Sequence, residues 1–442
     1  MIQLSDHFTY KRLIRFTLPS IIMILFTSVY GVVDGFFVSN FAGKTPFAAV
    51  NFIMPVLMIL GCIGFMFGTG GSALLSLIMG QGKTEKANEI FSMLVYVSAF
   101  CGVVLAVLGI LLLRSIASLM GADGKLLDDC VFYGRIILLA LPCFVLQYEF
   151  QCLFAAAGKP SLGLYITLAS GMTNIILDAL FVAVCSWGLA GAAAATACSQ
   201  FVGGVCPLIY FGRKNSSSFR LGKFRFDGRA LWKTCTNGAS ELMSNISMSV
   251  VSMLYNIQLM RYAGENGIAA YGVLMYVSMI FQAVFIGYAV GTAPIVSYHY
   301  GAQNSGEVKN ILAKSLLLIG VCSAAMCGAG ELIGERLSLL FVGYEKELLE
   351  MTVQAFSIFS VSFLFSGFAI LGSSFFTALN DGLTSAAIAF LRTLVIQVAA
   401  VIIFPIIWGL NGIWWSIVAA EVMAVAVTGL FFIGKKKKFL PQ

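Results

Sequence analysis

The sequence predicts an all-α polytopic membrane protein, with twelve transmembrane helices in two similar six-helix bundles around a central cleft. Three observations predict it. Of 442 residues, 59% are hydrophobic and 11% charged, with a mean hydropathy of +0.93; soluble domains are about a quarter charged. The apolar residues gather into twelve runs long enough to cross a bilayer as helices. The second half of the chain also repeats the first at a constant offset.

The twelve runs lie at about 16–38, 47–79, 91–113, 131–155, 162–184, 188–211, 232–260, 268–299, 310–332, 351–377, 383–405 and 411–433. Spans two and eight are long enough to tilt or bend. The first run is long and carries Asp34, so it reads as a span and not as a cleaved leader. With the N-terminus inside, the inner segments hold 19 Lys and Arg and the outer segments 7. Arg392 falls within span eleven. The positive-inside bias places both termini in the cytoplasm, and the even span number agrees. The net charge of +7 therefore belongs mainly to inner loops and to Lys435–Lys438. It reads as topology and contact with anionic lipid, with no nucleic-acid partner.

The basic loop 212–231, with Ser216, Ser217 and Ser218 in it, divides the spans six and six. The expected organisation is an N-terminal lobe over 1–211, a cytoplasmic linker over 212–231, a C-terminal lobe over 232–434 and a basic tail over 435–442. Residues 43–80 align without a gap on 264–301, an offset of 221, with ten of 38 positions identical. The same offset sets LFAAAGKP (153–160) on SFFTALND (374–381). Six spans per half give both halves one orientation, as in parallel repeats related by an axis along the membrane normal. Two such bundles leave a cleft whose access alternates as they rock, which favours a carrier over a channel or a membrane enzyme.

Ionisable residues inside spans are costly and mark function by default. Asp34 lies in VYGVVDGFFVSNF (29–41), in the outer half of span one. Asn174 and Asp178 lie four residues apart in span five, on one helix face and at a similar depth. Together they suggest a shared polar pocket able to take a proton, or Na⁺ in a compact oxygen cage. Glu241 sits in the polar stretch GASELMSNIS of span seven, where lining a C-lobe cavity and a structural hydrogen-bonded role are both open readings. Glu149 and Gln151 lie near the inner end of span four. Arg392 and Glu421, in spans eleven and twelve, can pair with each other. For these four a gate and a structural role stay open. GFMFG (64–68) reads as close helix packing.

Other chemistry is excluded. The eleven Cys are scattered without a CxxC pair, and His7 and His299 are far apart in sequence, so neither a metal site nor a disulfide framework is expected. No nucleophile–base arrangement or Walker motif is present, so neither an enzyme nor an ATP-driven pump is expected. No cofactor is expected beyond a coupling ion, H⁺ or Na⁺. The thirty-seven Phe and eighteen Met suit a greasy, adaptable pocket, although most must face lipid or pack helices.

YGVVDGFFVSNFAG, GSALLSLIMGQGKTEKAN, LFAAAGKP and NIILD together carry a resemblance. The chain resembles the multidrug and toxic compound extrusion (MATE) family over essentially its whole length, nearest its MepA-like and DinF-like bacterial branch. The resemblance implies a cation-coupled antiporter exporting amphipathic, often cationic drugs. The chain is expected to sit in the bacterial inner membrane and to work as a monomer. It implies that Asp34, Asn174 and Asp178 form the N-lobe cation or proton site. NorM-type relatives add a C-lobe site with a Glu in span seven, which Glu241 resembles, and an Asp in span ten. Residues 351–377 contain no Asp or Glu, so coupling through the N-lobe is favoured. The alternative function is a flippase for a lipid-linked precursor or polysaccharide. That role calls for clustered cations in the cavity, and Arg392 is the single deep one.

Overall fold

The computed structural model describes residues 2–42, 44–342 and 345–439. Gly43 of the repeat and residues 440–442 of the basic tail lie outside the described residues. Those described are almost entirely helical. The helices are α1 (Tyr10–Phe37), α2 (Lys44–Gly80), α3 (Thr84–Leu119), α4 (Gly124–Ala156), α5 (Pro160–Asp178), α6 (Gly188–Gly212), α7 (Gly228–Gly301), α8 (Ser305–Val342), α9 (Lys346–Ser360), α10 (Phe363–Ala378), α11 (Gly382–Phe390) and α12 (Gln397–Phe439). The local signals are ordinary. The Thr9 hydroxyl caps α1 through Arg12 N, and Asp227 caps α7 by accepting from Arg229 N and Ala230 N. Pro160 opens α5, where its missing N–H costs nothing.

Among the described residues, nine helices are long and apolar enough to cross a membrane, and α9 with α10 make a tenth span bent by 47°. Two breaks reconcile this with the twelve expected spans. The 54-residue stretch Gly382–Lys435 would be about 80 Å long as one rod, against a hydrocarbon core of about 30 Å. It turns back at Gly409, whose φ of +59° suits glycine. Gly264, at φ +63°, breaks the 74-residue α7 in the same way. Residues 228–263 make the remaining traverse. They are too polar to pass on hydropathy because they carry Glu241, Asn245 and several Ser.

The offset of 221 recurs in the backbone. Gly188 and Gly409 both have positive φ, as do Gly82 and Gln303. The reversals at Gly158 and Asn380 are one residue out of that register. Contacts between the lobes obey it too. A Cβ on Gly80 would collide with the Tyr298 carbonyl oxygen, and one on Gly301 with the Leu77 carbonyl oxygen. Each contact is the other displaced by 221 positions, as a two-fold axis between the lobes requires. The Asn380 amide adds hydrogen bonds to Ala73 O and Ser297 Oγ, both at 3.2 Å. The lobes are thus closed at the end that carries the linker, here called the basic end.

An N-terminal arm reinforces this closure. Phe8 is fully buried against Phe16 and His299. Its N–H donates to Glu307 Oε1 at 2.8 Å, and its carbonyl accepts from Lys314 Nζ at 2.6 Å. His7 Nδ1 lies 2.7 Å from Glu307 Oε2. The two histidines, distant in sequence, therefore converge where the start of the N-lobe grips α8. Within the N-lobe, Gly64 and Gly68 let α2 approach Val145 and Glu149 of α4 closely, as GFMFG predicts.

Candidate functional site

The first polar cluster lies inside the N-lobe. Asp34 of α1 faces Asp178 and Asn174 of α5 and Thr196 of α6. Asp34 is 8% exposed, Asn174 1% and Asp178 0%. The α5 spacing brings both of its residues to one face. Tyr133 of α4, itself buried, borders both carboxyls and Thr196. Tyr30 sits one turn before Asp34 and reaches Gln147, which donates to Ser170 at 3.4 Å. Sequence reading missed Thr196, Tyr133, Tyr30 and Gln147.

This cluster is under-bonded. Among the described residues, Asp34 Oδ1, both Asp178 oxygens, both Asn174 amide atoms, Thr196 Oγ1 and Tyr133 OH are buried without a hydrogen-bond partner. Neither Asp34 nor Asp178 makes an ion pair among the described residues. Buried polar groups normally find partners, and two buried carboxylates cannot both keep their charge uncompensated. The donor set of two carboxyls, an amide and two hydroxyls suits a proton shared between carboxyls, or a small hard cation. The backbone is unusual here as well. A π-helical stretch, Val38–Ala42, follows Asp34, and another, Ala179–Val184, follows Asp178 directly. Such turns are concentrated at functional sites.

The second site is a cavity of about 540 Å³ between the lobes. It runs from Thr69 and Ser72, just above the closed end, to Met120 at the far end of α3. Glu241 lines it, with Met248, Met253, Met275, Tyr255 and Tyr271. Arg392 and Glu421 are in its wall, joined by two hydrogen bonds, Nε–Oε2 at 3.2 Å and Nη2–Oε1 at 3.0 Å. Arg392 sits in a third π-helical stretch, Leu391–Ile396. The structure thus places Glu241, Arg392 and Glu421 together, apart from the Asp34 cluster.

Glu149 is elsewhere, fully buried in the N-lobe and bonded to Ser98 of α3. Its Oε1 and both amide atoms of Gln151 lack partners among the described residues. No group of three or more His, Cys, Asp or Glu able to hold a metal is present among the described residues.

A sequence model of the MatE family matches residues 19–180 and again residues 242–403. This chain belongs to the MatE family. The double match puts one MatE unit in each lobe. The multidrug export protein MepA of Staphylococcus haemolyticus is 26% identical over 96% of this chain and 93% of its own length. The Staphylococcus aureus MepA protein is 25% identical over 93% and 91%. A crystal structure of MATE in complex with MaL6 matches with a TM-score of 0.93 at 22% identity, covering 99% of this chain and 98% of that one. An outward-facing multidrug resistance MATE transporter gives the same values. A MOP-superfamily transporter from Pyrococcus furiosus follows with a TM-score of 0.92, at 22% identity and the same coverage. At these identities the structural likeness speaks for the MatE fold.

Proposed function

We propose that this protein is a secondary active multidrug exporter. It carries amphipathic, often cationic compounds out of the cell in exchange for H⁺ or Na⁺. The observation that carries the coupling is the under-bonded Asp34–Asn174–Asp178 cluster, whose carboxyls make no ion pair among the described residues. Multidrug export is the activity named for the MepA relatives.

The protein works as a monomer in the bacterial inner membrane, with both termini cytoplasmic. The basic end is then the cytoplasmic end, and closure there makes the conformation outward-open. Drug occupies the central cavity beside Glu241 and leaves when a cation or proton reaches Asp34 from outside. Neutralising the two carboxyls lets α1 and α5 approach. The π-helical stretches beside both residues give these helices a place to repack. The loaded carrier turns inward and releases the ion. The cation acts because it stabilises one conformation over the other.

Flippase activity gains no support. Arg392, the cation such a substrate would need, is already held by Glu421 through two hydrogen bonds.

The test is ethidium transport by the purified protein in proteoliposomes, with a pH gradient and a Na⁺ gradient imposed separately. One of the two must drive uphill movement. Movement that only follows the drug gradient would leave a passive channel.

A further inference from the structure

The loop between the lobes is not a slack tether. Phe219 is buried and stacks on Phe91 of α3, ring centroids 5.0 Å apart. Arg220 N donates to Asn88 Oδ1 at 2.7 Å, and Gly222 N to Ser92 Oγ at 2.9 Å. Tyr96 OH donates to Gly222 O at 3.3 Å, and Arg225 pairs with Glu89 at 3.0 Å. Residues 88, 89, 92 and 96 share one face of α3. The segment 219–227 is therefore a strap fixed along that helix.

What the strap presents is unusual for a polar loop. Phe224 and Phe226 are 55% and 64% exposed, and Trp232, at the start of α7, is 72% exposed. Phe224 packs on Tyr96. Tyr96 begins an exposed stripe on α3 that continues through Phe100, Val103, Val107 and Leu111. That helical spacing is the surface hydrocarbon must cover. The strap's aromatics extend it at the basic end, and the exposed Trp232 stands where an indole suits a membrane–water interface. Exposed Arg220, Lys223 and Arg229 stand beside them, with no acidic partner among the described residues. Anionic membrane surfaces attract such clusters.

We propose that this strap is a binding surface for the headgroups of anionic phospholipids in the cytoplasmic leaflet. Its aromatics enter the interface, and Arg220, Lys223 and Arg229 meet the phosphates. The choice of leaflet rests on the orientation proposed above; the lipid contact does not. Because the strap leads from α6 into α7, bound lipid also steadies the joint between the lobes.

The test is hydrogen–deuterium exchange of the full-length protein in symmetric vesicles. One set is pure phosphatidylcholine and the other contains about one third phosphatidylglycerol. Symmetric vesicles make the result independent of orientation and of transport. Exchange across residues 222–229 is expected to slow severalfold with phosphatidylglycerol. Arg220→Gln/Lys223→Gln/Arg229→Gln should abolish that difference, since each basic residue contributes about fivefold in anionic-surface affinity. Lys11→Gln/Arg15→Gln/Lys309→Gln, an equal loss of charge elsewhere at the basic end, should preserve it. Equal exchange of the wild type in both vesicles would overturn the proposal. So would loss of the difference in the control variant, or slowing by inorganic phosphate in pure phosphatidylcholine.

Discussion

Asp34 and Asp178 face each other inside the N-lobe, from α1 and α5, and neither makes an ion pair among the described residues. Buried or half-buried ion pairs in this protein look different. Arg392 and Glu421 satisfy each other with two hydrogen bonds, and Lys435 pairs with Asp381 at 2.7 Å. The Asp34–Asp178 pair has no such basic partner among the described residues, and the coupling role proposed above rests on that.

The Arg392–Glu421 pair gives a first prediction. Its side chains are only 13% and 5% exposed, so removing one partner strands a charge. Arg392→Met should lower stability by about 3 kcal/mol. Arg392→Met/Glu421→Leu should recover most of that loss. Thermal unfolding of both variants in detergent checks this, and a double variant no more stable than the single one would contradict it.

The symmetry of the closed end gives a second. Gly80→Ala and Gly301→Ala each put a Cβ against a backbone carbonyl of the other lobe, and neither carbonyl can rotate away. Both should wedge the basic end open, and because they are the same contact seen from each lobe, by similar amounts. Distances between spin labels placed across that end should broaden towards larger values in both variants. Unchanged distances would show that the lobes are not held by this contact.

The N-terminal arm gives a third. Phe8→Ala removes a fully buried ring and should cost about 3 kcal/mol. Glu307→Gln keeps the shape but loses the charge-assisted bonds to His7 and the Phe8 amide, and should cost about 1 kcal/mol. Both should speed proteolysis within residues 2–9. Wild-type rates in Phe8→Ala would mean the arm does not hold the closed end.

Much of this was legible in the sequence, for identifiable reasons. Hydropathy and charge fix spans because lipid forbids exposed backbone polar groups. The repeat was legible because its register survives in identities, and Gly188 and Gly409 show the backbone following it. Asp34, Asn174 and Asp178 stood out because such residues are rare in apolar helices. Thr196 and Tyr133 did not. A hydroxyl in a span is commonplace, since it can bond its own helix, as Thr27 Oγ1 does to Met23 O. The grip of His7 on Glu307 crosses 300 positions, and no local pattern encodes it. The π-helical stretches left no mark in the apolar runs. They became visible only as backbone geometry beside Asp34, Asp178 and Arg392.

The most direct test of the central claim is ethidium efflux by Asp34→Asn proteoliposomes under the gradient that drives the wild type. The substitution keeps the shape and removes the exchangeable charge. Uphill efflux should fall at least tenfold, while membrane insertion and ethidium binding at the Glu241 cavity persist. Efflux at the wild-type rate, with the same dependence on the imposed gradient, would contradict the assignment of coupling to Asp34.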